Sequence, residues 1–453
     1  MTAVEEELRV AVVGAGPAGI YTAAALVDQT EVPVAVDIFD RLPTPFGLLR
    51  YGVAPDHLKM KALGITLQRT LDNEHVRFFG NITVGTDITV AELLGDYHAV
   101  VYSYGAATDR KLGIPGEDLR GSLSAREFVN WYCDDPDASV AGFDLTARSA
   151  VVIGLGNVAL DAARILIRDP EELSPTDVSD EVLDCLRRSS ITEVHIVGRR
   201  GPEHAKFTTK ELRELGELSG VDVVLDPAAM ENVGEPEDTV VRRNLEVFRG
   251  WSQRSLTGAP RRIYLHFHST PVAVLGTDSV EGLRVEHPDG STEEIGAQLV
   301  LRSAGYRGTA LDGLPFDEQS GTLAVVDHRV QRADGEWGEY AAGWIKRGAT
   351  GVIGTNRSDA TATVRVILGD ADALRARDVA PGTALGLAVT RGAHPVGLDG
   401  WAAIDAAEVA LGAERGSARI KLSRWEKLLA ASGVLVVGHV EDVDGAGEDQ
   451  PDG

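Results

Sequence analysis

The sequence predicts an α/β protein built from two similar units, and three observations support this. A strand-like run at residues 9–13 leads into GAGPAG and then into a helical pattern. The same order recurs at residues 149–167, where SAVVI precedes GLGNVA and ALDAARILI. Other strand-like runs alternate with helical patterns, as a mostly parallel sheet requires. These runs lie at residues 34–39, 99–103, 193–197, 221–225 and 263–267.

The first glycine loop lies between a strand and a helix. Gly14, Gly16 and Gly19 have the G-x-G-x-x-G spacing. In that pattern the first glycine permits a tight turn, the second lets the backbone approach a pyrophosphate, and the third allows close packing of helix on strand. Asp40 follows the next strand, 21 residues after Gly19, where a carboxylate can bind a ribose hydroxyl. Turn glycines and a strand-end aspartate without a ligand are the alternative.

The second glycine loop has a related pattern. Gly154, Gly156 and Ala159 match G-x-G-x-x-A, and we expect the backbone amides of Asn157 and Val158 to face a pyrophosphate. The two loops lie about 140 residues apart. They therefore predict two Rossmann-like dinucleotide-binding domains rather than short tandem repeats.

The residues after the strand EVHIV indicate which nucleotide the second domain binds. An NAD-dependent enzyme carries an acid there for the ribose 2'-hydroxyl, whereas this chain has Gly198, Arg199 and Arg200. Two guanidinium groups suit a 2'-phosphate through bidentate, charge-assisted hydrogen bonds. NADP(H) is the expected nucleotide, and a solvated surface turn is the alternative.

The segment YAAGWIKRGATGVIGTN, at residues 340–356, combines a strand-like start with a glycine-rich approach to a helix. We expect Ser358 to cap that helix. A helix N-terminus beside the pyrimidine edge of a flavin would stabilise the anionic reduced ring, although a buried tryptophan and a flexible loop would give the same pattern. The flavin contacts expected in this segment are Trp344, Gly351, Val352 and Ile353.

Composition argues against several classes of function. The formal net charge of -25 argues against a nucleic-acid surface and against binding of anionic lipid through net charge. Cys133 and Cys185 form no CxxC, so they predict neither a disulfide relay nor a metal or iron-sulfur site. Glu5, Glu6 and Glu7 stand where a signal peptide would carry positive charge. No apolar stretch approaches the roughly 20 residues that span a bilayer, so we expect a soluble protein. The isolated cysteines are typical of the reducing cytoplasm, and we expect the protein to be a monomer.

Six motifs of the chain are distinctive. They are GAGPAG (14–19), LPTPFGLLRYGVAPDH (42–57), GLGNVALDAARIL (154–166), VGRRGP (197–202), FTTKELREL (207–215) and GWIKRGATGVIGTN (343–356). Together they resemble adrenodoxin-reductase-type ferredoxin-NADP reductases, in particular the actinobacterial FprA type. The resemblance covers essentially the whole chain, and the second and sixth motifs are highly specific.

The resemblance implies that an NADP-binding domain is inserted into a discontinuous FAD-binding domain. The implied limits are 1–107 and 331–440 for the FAD-binding domain, 108–330 for the NADP-binding domain, and 441–453 for an acidic, disordered tail. Low-apolar stretches with proline and glycine at residues 107–121 and 305–322 agree with these crossings. The implied FAD contacts are Ala15, Asp40, Leu48, Val84, Trp344 and Gly351 to Ile353. The implied NADP contacts are Arg110, Gly156 to Val158, Arg199, Arg200 and Glu211.

Similar enzymes place a histidine and a glutamate near the nicotinamide, and the corresponding residues here are His57 and Glu214. We therefore expect these two residues to be catalytic. A histidine after Pro-Asp is equally consistent with a structural role. Glu211 also has a second interpretation, because Thr208-x-x-Glu211 has the spacing of a capping box.

The predicted function combines these expectations. Hydride from NADPH passes to FAD, and electrons leave singly to a separate iron-sulfur protein, because the chain has no cysteine pair or cluster ligands. The resemblance suggests that the partner is an acidic ferredoxin bound by a basic surface, although a solvated helix face is the alternative. The candidate docking residues are Arg242, Arg243, Arg249, Arg254, Arg261 and Arg262. An NADPH- and FAD-dependent monooxygenase and a redox sensor without turnover remain alternative functions.

Overall fold

The computed structural model describes residues 7–139, 143–231, 233–333 and 335–434. The tail predicted at residues 441–453 lies outside the described residues, as do Glu5 and Glu6. Within the described residues the strands are β1 (Leu8–Val13), β2 (Val34–Phe39), β3 (Val76–Phe79), β4 (Ala99–Tyr102), β5 (Thr108–Asp109), β6 (Ser122–Ser124), β7 (Ser149–Ile153), β8 (Glu193–Val197), β9 (Val221–Leu225), β10 (Arg261–His266), β11 (Thr270–Leu275), β12 (Gly282–Glu286), β13 (Thr292–Gly296), β14 (Leu299–Arg302), β15 (Tyr306–Arg307), β16 (Phe316–Asp317), β17 (Thr322–Leu323), β18 (Val325–Val326), β19 (Arg329–Val330) and β20 (Glu339–Ala341).

The first ten α-helices lie between these strands, and the other six follow the last strand. They are α1 (Pro17–Val27), α2 (Leu48–Tyr51), α3 (Leu58–Lys61), α4 (Leu63–Leu71), α5 (Val90–Asp96), α6 (Ala125–Tyr132), α7 (Asn157–Ile167), α8 (Asp180–Arg187), α9 (Thr209–Leu215), α10 (Thr239–Gln253), α11 (Trp344–Arg347), α12 (Ile353–Gly369), α13 (Ala371–Arg375), α14 (Thr383–Thr390), α15 (Leu398–Arg415) and α16 (Trp425–Ala431). Along the part of the chain that is described, no helix combines the length and the apolar character needed to cross a bilayer.

The first sheet has the strand order β18-β19-β20-β4-β1-β2-β3. Its central strands β4, β1 and β2 are parallel neighbours and are apolar along most of their length, as strands covered on both faces must be. Val10 and Val12 point into one core cluster and Ala11 and Val13 into another, on the opposite face. The chain leaves this sheet after β4 and re-enters it at β18.

The second sheet is formed by strands that lie between these two points. Its order is β6-β14-β7-β8-β10-β9, and every neighbouring pair is parallel. The antiparallel sheet β11-β12-β13 covers one face through Val274, Leu283 and Ile295, which pack in one cluster with Val151 and Val300. The two sheets confirm the predicted fold class. Strands β2, β7, β8 and β9 have the predicted limits, and β1, β4 and β10 differ from them by one or two residues.

The two segments that connect the sheets run side by side, because β5 pairs antiparallel with β15. After β15 the chain already packs against the first sheet, where Leu311 and Phe316 contact its core. Strands β18 and β19 also belong to that sheet. A domain limit at residue 330 would therefore cut the first sheet, and we propose instead that the inserted domain ends near Arg307.

Candidate functional site

Both glycine loops lie where the order of the strands reverses. In the first sheet β1 has β4 on one side and β2 on the other, and in the second sheet β7 lies between β14 and β8. Open α/β sheets bind ligands in the crevice beyond the carboxyl ends of their strands at such switch points. The fold therefore offers one nucleotide position at each loop.

The first loop has the geometry that its three glycines predict. Gly14 has φ +106°, and a Cβ there would lie 2.8 Å from the backbone of Ser103. A Cβ at Gly19 would lie 1.9 Å from the carbonyl oxygen of Gly14, so only glycine lets α1 approach β1 this closely. At Gly16, in contrast, a Cβ would meet nothing within 4 Å. The open space beside the N-terminus of α1 suits a pyrophosphate.

Asp40 lies directly beside this loop. Its carboxylate accepts hydrogen bonds from the backbone amides of Ala15, at 2.7 Å, and Leu42, at 2.9 Å. Burial raises the pKa of Asp40, and the two amides and Arg41 oppose that rise. Val84 belongs to the core cluster that contains the ends of β1 and β2. Thus Ala15, Asp40 and Val84 lie near the carboxyl edge of the first sheet.

The motif PTPFG packs against the same loop. The amide of Phe46 donates to the carbonyl oxygen of Ala15 at 2.8 Å, and Phe46 has φ +81°. A Cβ at Gly47 would lie 3.0 Å from the Cα of Gly16. Leu48, half-buried, begins the short helix α2 immediately afterwards. Sequence reasoning identified Leu48 only by resemblance, because this close backbone contact is not visible in the motif.

Helix α12 begins at Ile353, with Val352 as its extended N-cap, so the prediction that Ser358 caps this helix is wrong. Ser358 lies inside the helix, where its hydroxyl donates to the carbonyl of Thr355 at 3.1 Å. No side chain of the described residues caps the first turn. Gly351, with φ +84°, brings the chain into the helix, and the side chain of Val352 is 60% exposed. Uncapped amides beside an exposed apolar side chain suit the polar edge of a flat ring.

Trp344 connects the segment before α12 to strand β15, which lies where the chain passes between the two sheets. Its ring stacks on Tyr306 of β15, with ring centroids 5.7 Å apart. Its indole nitrogen donates to the carbonyl of Thr350 at 3.1 Å. Burial raises the pKa of Tyr306 well above its usual value. The two rings therefore form an apolar, uncharged surface between α12 and the crossing strands.

The second loop is similar to the first. Gly154 has φ +142°, and a Cβ there would lie 2.5 Å from the carbonyl oxygen of Ser303. At Gly156 a Cβ would meet nothing within 4 Å, and Ala159 is fully buried. The loop thus leaves room for a pyrophosphate at Gly156, at the N-terminus of α7, which begins with Asn157 and Val158.

Asn157 also positions the next functional helix. Its side-chain oxygen accepts a hydrogen bond from the amide of Thr208 at 2.9 Å, and Thr208 is the N-cap of α9. The Thr208 hydroxyl accepts from the amide of Glu211 at 3.3 Å, but the Glu211 carboxylate contacts that hydroxyl instead of the Thr208 amide. The predicted capping box is therefore only half formed, because the amide of Thr208 already donates to Asn157. Burial raises the pKa of Glu211, against the hydrogen bond from Thr208.

The three arginines predicted to bind NADP are exposed. Arg199 and Arg200 follow the end of β8, next to the second loop in the neighbouring strand. Arg110 lies just after β5, where its amide donates to the carbonyl of Gly305 at 3.0 Å. Exposed guanidinium groups at the carboxyl edge of the sheet are free to meet a phosphate.

His57 and Glu214 are brought together although they belong to different parts of the fold. The Nδ1 atom of His57 lies 3.8 Å from Oε2 of Glu214 on α9. The other ring nitrogen, Nε2, lies 3.0 Å from Oδ1 of Asp161 on α7, a residue that the sequence did not single out. Burial lowers the pKa of His57, but the hydrogen bond and charge of Asp161 outweigh burial, so the pKa is raised.

The predicted docking arginines differ in their exposure and in their contacts. Arg242 and Arg243 are exposed on α10, and Arg254 is exposed just after it. Arg249, also on α10, lies 3.7 Å from the carboxylate of Glu235. The two arginines of β10 are engaged within the fold, since Arg261 donates to the carbonyl of Ile167 and Arg262 to the hydroxyl of Tyr264.

Comparison with known proteins gives consistent matches. The family model for pyridine nucleotide-disulphide oxidoreductases matches residues 8–248. NADPH-ferredoxin reductase FprA of Mycobacterium tuberculosis is 44% identical over 450 residues, which cover 93% of this chain and 98% of that protein. The mitochondrial NADPH:adrenodoxin oxidoreductase of Homo sapiens is 38% identical and covers 95% of this chain and 93% of its own length. The solved structure of Mycobacterium tuberculosis FprA in complex with NADPH has a TM-score of 0.89 at 42% identity, covering 94% of this chain and 100% of that one.

Proposed function

The chain belongs to the pyridine nucleotide-disulphide oxidoreductase family, in its branch of NADPH-ferredoxin reductases. We propose that it is an FAD flavoprotein that accepts hydride from NADPH and passes single electrons to a ferredoxin-type iron-sulfur protein. One observation carries the proposal: two open glycine loops lie at the two switch points of one chain. A bound flavin supplies the conversion between two-electron and one-electron chemistry.

The residues at the two loops fit two different dinucleotides. The first loop lies in the same sheet as β20, which leads to the uncapped start of α12, and we assign FAD to it. The FAD contacts in this proposal are Gly14, Ala15, Gly16, Gly19, Asp40, Leu48, Val84, Trp344, Gly351, Val352 and Ile353. The second loop lies beside exposed arginines, and we assign NADP(H) to it. The NADP contacts in this proposal are Arg110, Gly154, Gly156, Asn157, Val158, Arg199, Arg200 and Glu211.

We assign the reacting ends of the two nucleotides to the space around His57 and Glu214. Hydride transfer needs close, correctly oriented rings more than acid-base chemistry. Helix α9, which carries Glu214, is fixed to the second loop through Asn157, and His57 reaches α9 from the FAD side. In this proposal His57 and Glu214 orient the nicotinamide and hold a proton close to it.

Protein thiols do not offer an electron exit in this chain. Both cysteines are free, and Cys133 is buried. Burial raises the pKa of the Cys133 thiol to about 12, so the reactive thiolate is scarce at neutral pH. The pKa of Cys185 is also raised by burial. These properties support a separate one-electron acceptor, and we place the protein in the reducing cytoplasm.

We propose that the acceptor is an acidic ferredoxin that docks on the monomeric protein. In this proposal the basic surface is formed by Arg242, Arg243 and Arg254, which are exposed, whereas Arg249, Arg261 and Arg262 are half-buried. Electrostatic attraction between a local basic surface and an acidic partner favours a fast, weak encounter.

Anaerobic titration of the purified protein with NADPH tests the proposal. We expect a yellow protein whose flavin absorbance bleaches with NADPH and returns when an oxidised ferredoxin is added, while NADH bleaches it poorly. A colourless protein that binds no added FAD would contradict the proposal. Binding of both nucleotides without bleaching would indicate a redox sensor, and a hydroxylated product formed in air would indicate a monooxygenase.

A further inference from the structure

His57 lies in a cluster of charged side chains that crosses between the two parts of the fold. Its Nε2 lies 3.0 Å from Oδ1 of Asp161 and 3.1 Å from Nη2 of Arg164, both on α7. Asp56, the residue before His57, accepts hydrogen bonds from Arg164 and Arg168. The side chains of His57, Asp161 and Arg164 are only 5%, 12% and 3% exposed. Water therefore competes little with these contacts.

The partners of Nε2 decide whether this nitrogen of His57 carries a hydrogen. A carboxylate only accepts, so the 3.0 Å contact between Nε2 and Oδ1 of Asp161 requires a hydrogen on Nε2. Nη2 of Arg164 lies 2.7 Å from Oδ1 of Asp161, 3.1 Å from Nε2 and 3.3 Å from Oδ1 of Asp56. A hydrogen of Nη2 directed at Nε2 would leave the carboxylate of Asp161 facing a nitrogen without a hydrogen, whereas Asp161 and Asp56 accept both hydrogens of Nη2. The geometry therefore favours a hydrogen on Nε2 that is donated to Asp161.

The opposite side of the ring faces a different environment. Nδ1 lies 3.8 Å from Oε2 of Glu214, and that buried oxygen has no hydrogen-bond partner among the described residues. The other oxygen of Glu214 pairs with Lys210 at 3.2 Å. Glu211, on the same helix, is close enough for its charge to interact with His57. Nδ1 is thus close to acceptors but makes no hydrogen bond with any residue in the described ranges.

The charges around His57 favour the protonated ring. Burial lowers the pKa of His57, and the charge of Arg164 also lowers it. The hydrogen bond and charge of Asp161, with a further contribution from Asp56, raise the pKa by more. Asp161 therefore has the largest favourable effect on the imidazolium form.

We propose that Asp161 and Arg164 are positioning residues that hold His57 with Nε2 protonated, so that Nδ1 gains or loses a proton on the side of Glu214. The catalytic meaning of this inference rests on the proposed function, but the protonation of the ring does not. Asp161 lies four residues after Asn157, the first residue of α7, so the same helix carries the nucleotide loop and the anchor of His57. A nucleotide at the loop and the ring of His57 are thereby held in fixed relation.

Nitrogen-15 NMR of the full chain with labelled histidine tests this inference, with His57→Gln used to identify the signal. In the wild type we expect the neutral ring of His57 to be the Nε2-protonated tautomer. In Asp161→Asn the loss of the carboxylate destabilises the imidazolium, so the pKa of His57 falls by about one to two units. Any pH transition of kcat/KM that depends on His57 then moves to lower pH by the same amount.

Two further variants separate charge from structure. Asp161→Glu restores the charge and returns the pKa of His57 towards the wild-type value. Glu172→Gln breaks an ion pair with Arg168 on the far side of the cluster, 2.5 Å in length, and leaves His57 unchanged. An Nδ1-protonated neutral ring in the wild type, or an unchanged His57 pKa in Asp161→Asn, would overturn the inference. If Asp161→Asn fails to fold, the tautomer of His57 in the wild type alone decides whether the inference holds. A protein that NADPH cannot reduce would contradict the proposed function but not the inference about the ring of His57.

Discussion

Arg199 and Arg200 are exposed, and neither guanidinium has a hydrogen bond or ion pair within the described ranges. Guanidinium groups without a carboxylate partner are ready to bind the 2'-phosphate of NADPH. A hydrogen bond to a charged group contributes about 1.5–3 kcal/mol. We therefore expect Arg199→Ala/Arg200→Ala to lower kcat/KM for NADPH by about 100-fold or more, and to change kcat/KM for NADH by less than about threefold. Steady-state reduction of a neutral quinone measures both values.

Arg213 provides the matched control for this prediction. It is an exposed arginine on α9, 13 residues after Arg200 in the sequence. Arg213→Ala should leave the preference for NADPH over NADH unchanged. An unchanged preference in the double variant as well would show that another part of the site recognises the phosphate.

Single residues also mark the limit of what the sequence could predict. The glycines of both loops were identified because their spacing alone specifies a turn and a close approach. Asp161 was not, since its partner His57 lies 104 residues away along the chain. A usable signal was present, because Asp161 and Arg164 interrupt an otherwise apolar helix. Buried charges of this kind require partners, but the sequence does not say which.

Among the elements, the parallel strands were predicted best. A strand buried on both faces is a short, nearly continuous apolar run, and β2, β7, β8 and β9 have that character. The start of α12 was predicted six residues late, because Ser358 was expected to be the N-cap, whereas the N-cap is Val352 and has no side-chain hydrogen bond. The sheet β11-β12-β13 escaped prediction, since strands such as TEEIG are mostly exposed and weakly apolar. The start of α12 was missed because the helix has no capping side chain, and the sheet β11-β12-β13 was missed because its strands are exposed.

The second and third positions of the glycine loops are expected to respond differently to alanine. A Cβ at Gly156 enters open space, so Gly156→Ala should fold normally but displace the pyrophosphate. Because a misplacement of about 1 Å costs on the order of 100-fold, kcat/KM for NADPH should fall by at least about tenfold without a change in Tm. Thermal unfolding and steady-state kinetics measure the two effects.

Gly19→Ala is the contrasting variant. Its Cβ would lie 1.9 Å from the carbonyl oxygen of Gly14, so α1 must move away from β1. Overpacking of this kind costs about 1–3 kcal/mol, and Tm and retention of the flavin should fall together. If Gly156→Ala lowers Tm as much as Gly19→Ala does, the second position is structural and the space beside it does not hold a pyrophosphate.

At the scale of the whole molecule, buried charges fix how the two parts meet. Lys421, whose side chain is fully buried, lies 3.6 Å from the carboxylate of Asp177, and Lys61 donates to the same carboxylate at 2.7 Å. Lys421 also donates to the backbone carbonyls of Arg50 and Cys133. The pairing of residues so distant in sequence could not be predicted. It holds the segments that follow each glycine loop in one arrangement, as transfer between two nucleotides requires.

The net charge of the chain sets the conditions for its encounter with an acidic partner. At a formal charge of -25 the molecule as a whole repels an acidic ferredoxin, so attraction must come from a local basic surface. Raising the salt concentration from about 0.01 to about 0.15 M shortens the screening length from about 30 to about 8 Å. We expect ferredoxin-dependent reduction of cytochrome c to fall by about tenfold or more over this range. Reduction of a neutral quinone by NADPH should change little.

Arg243 and Arg254 are expected to provide much of this attraction, because both are exposed and neither has a side-chain partner in the described chain. Arg243→Gln/Arg254→Gln should therefore slow the ferredoxin-dependent rate at low salt and flatten its dependence on salt. Arg284→Gln is the control, since Arg284 is exposed on β12 but its charge is paired with Glu294 at 2.7 Å. If the double variant and the control behave alike, docking does not depend on Arg243 or Arg254. If the wild-type rate does not fall with salt, attraction between opposite charges does not guide the encounter.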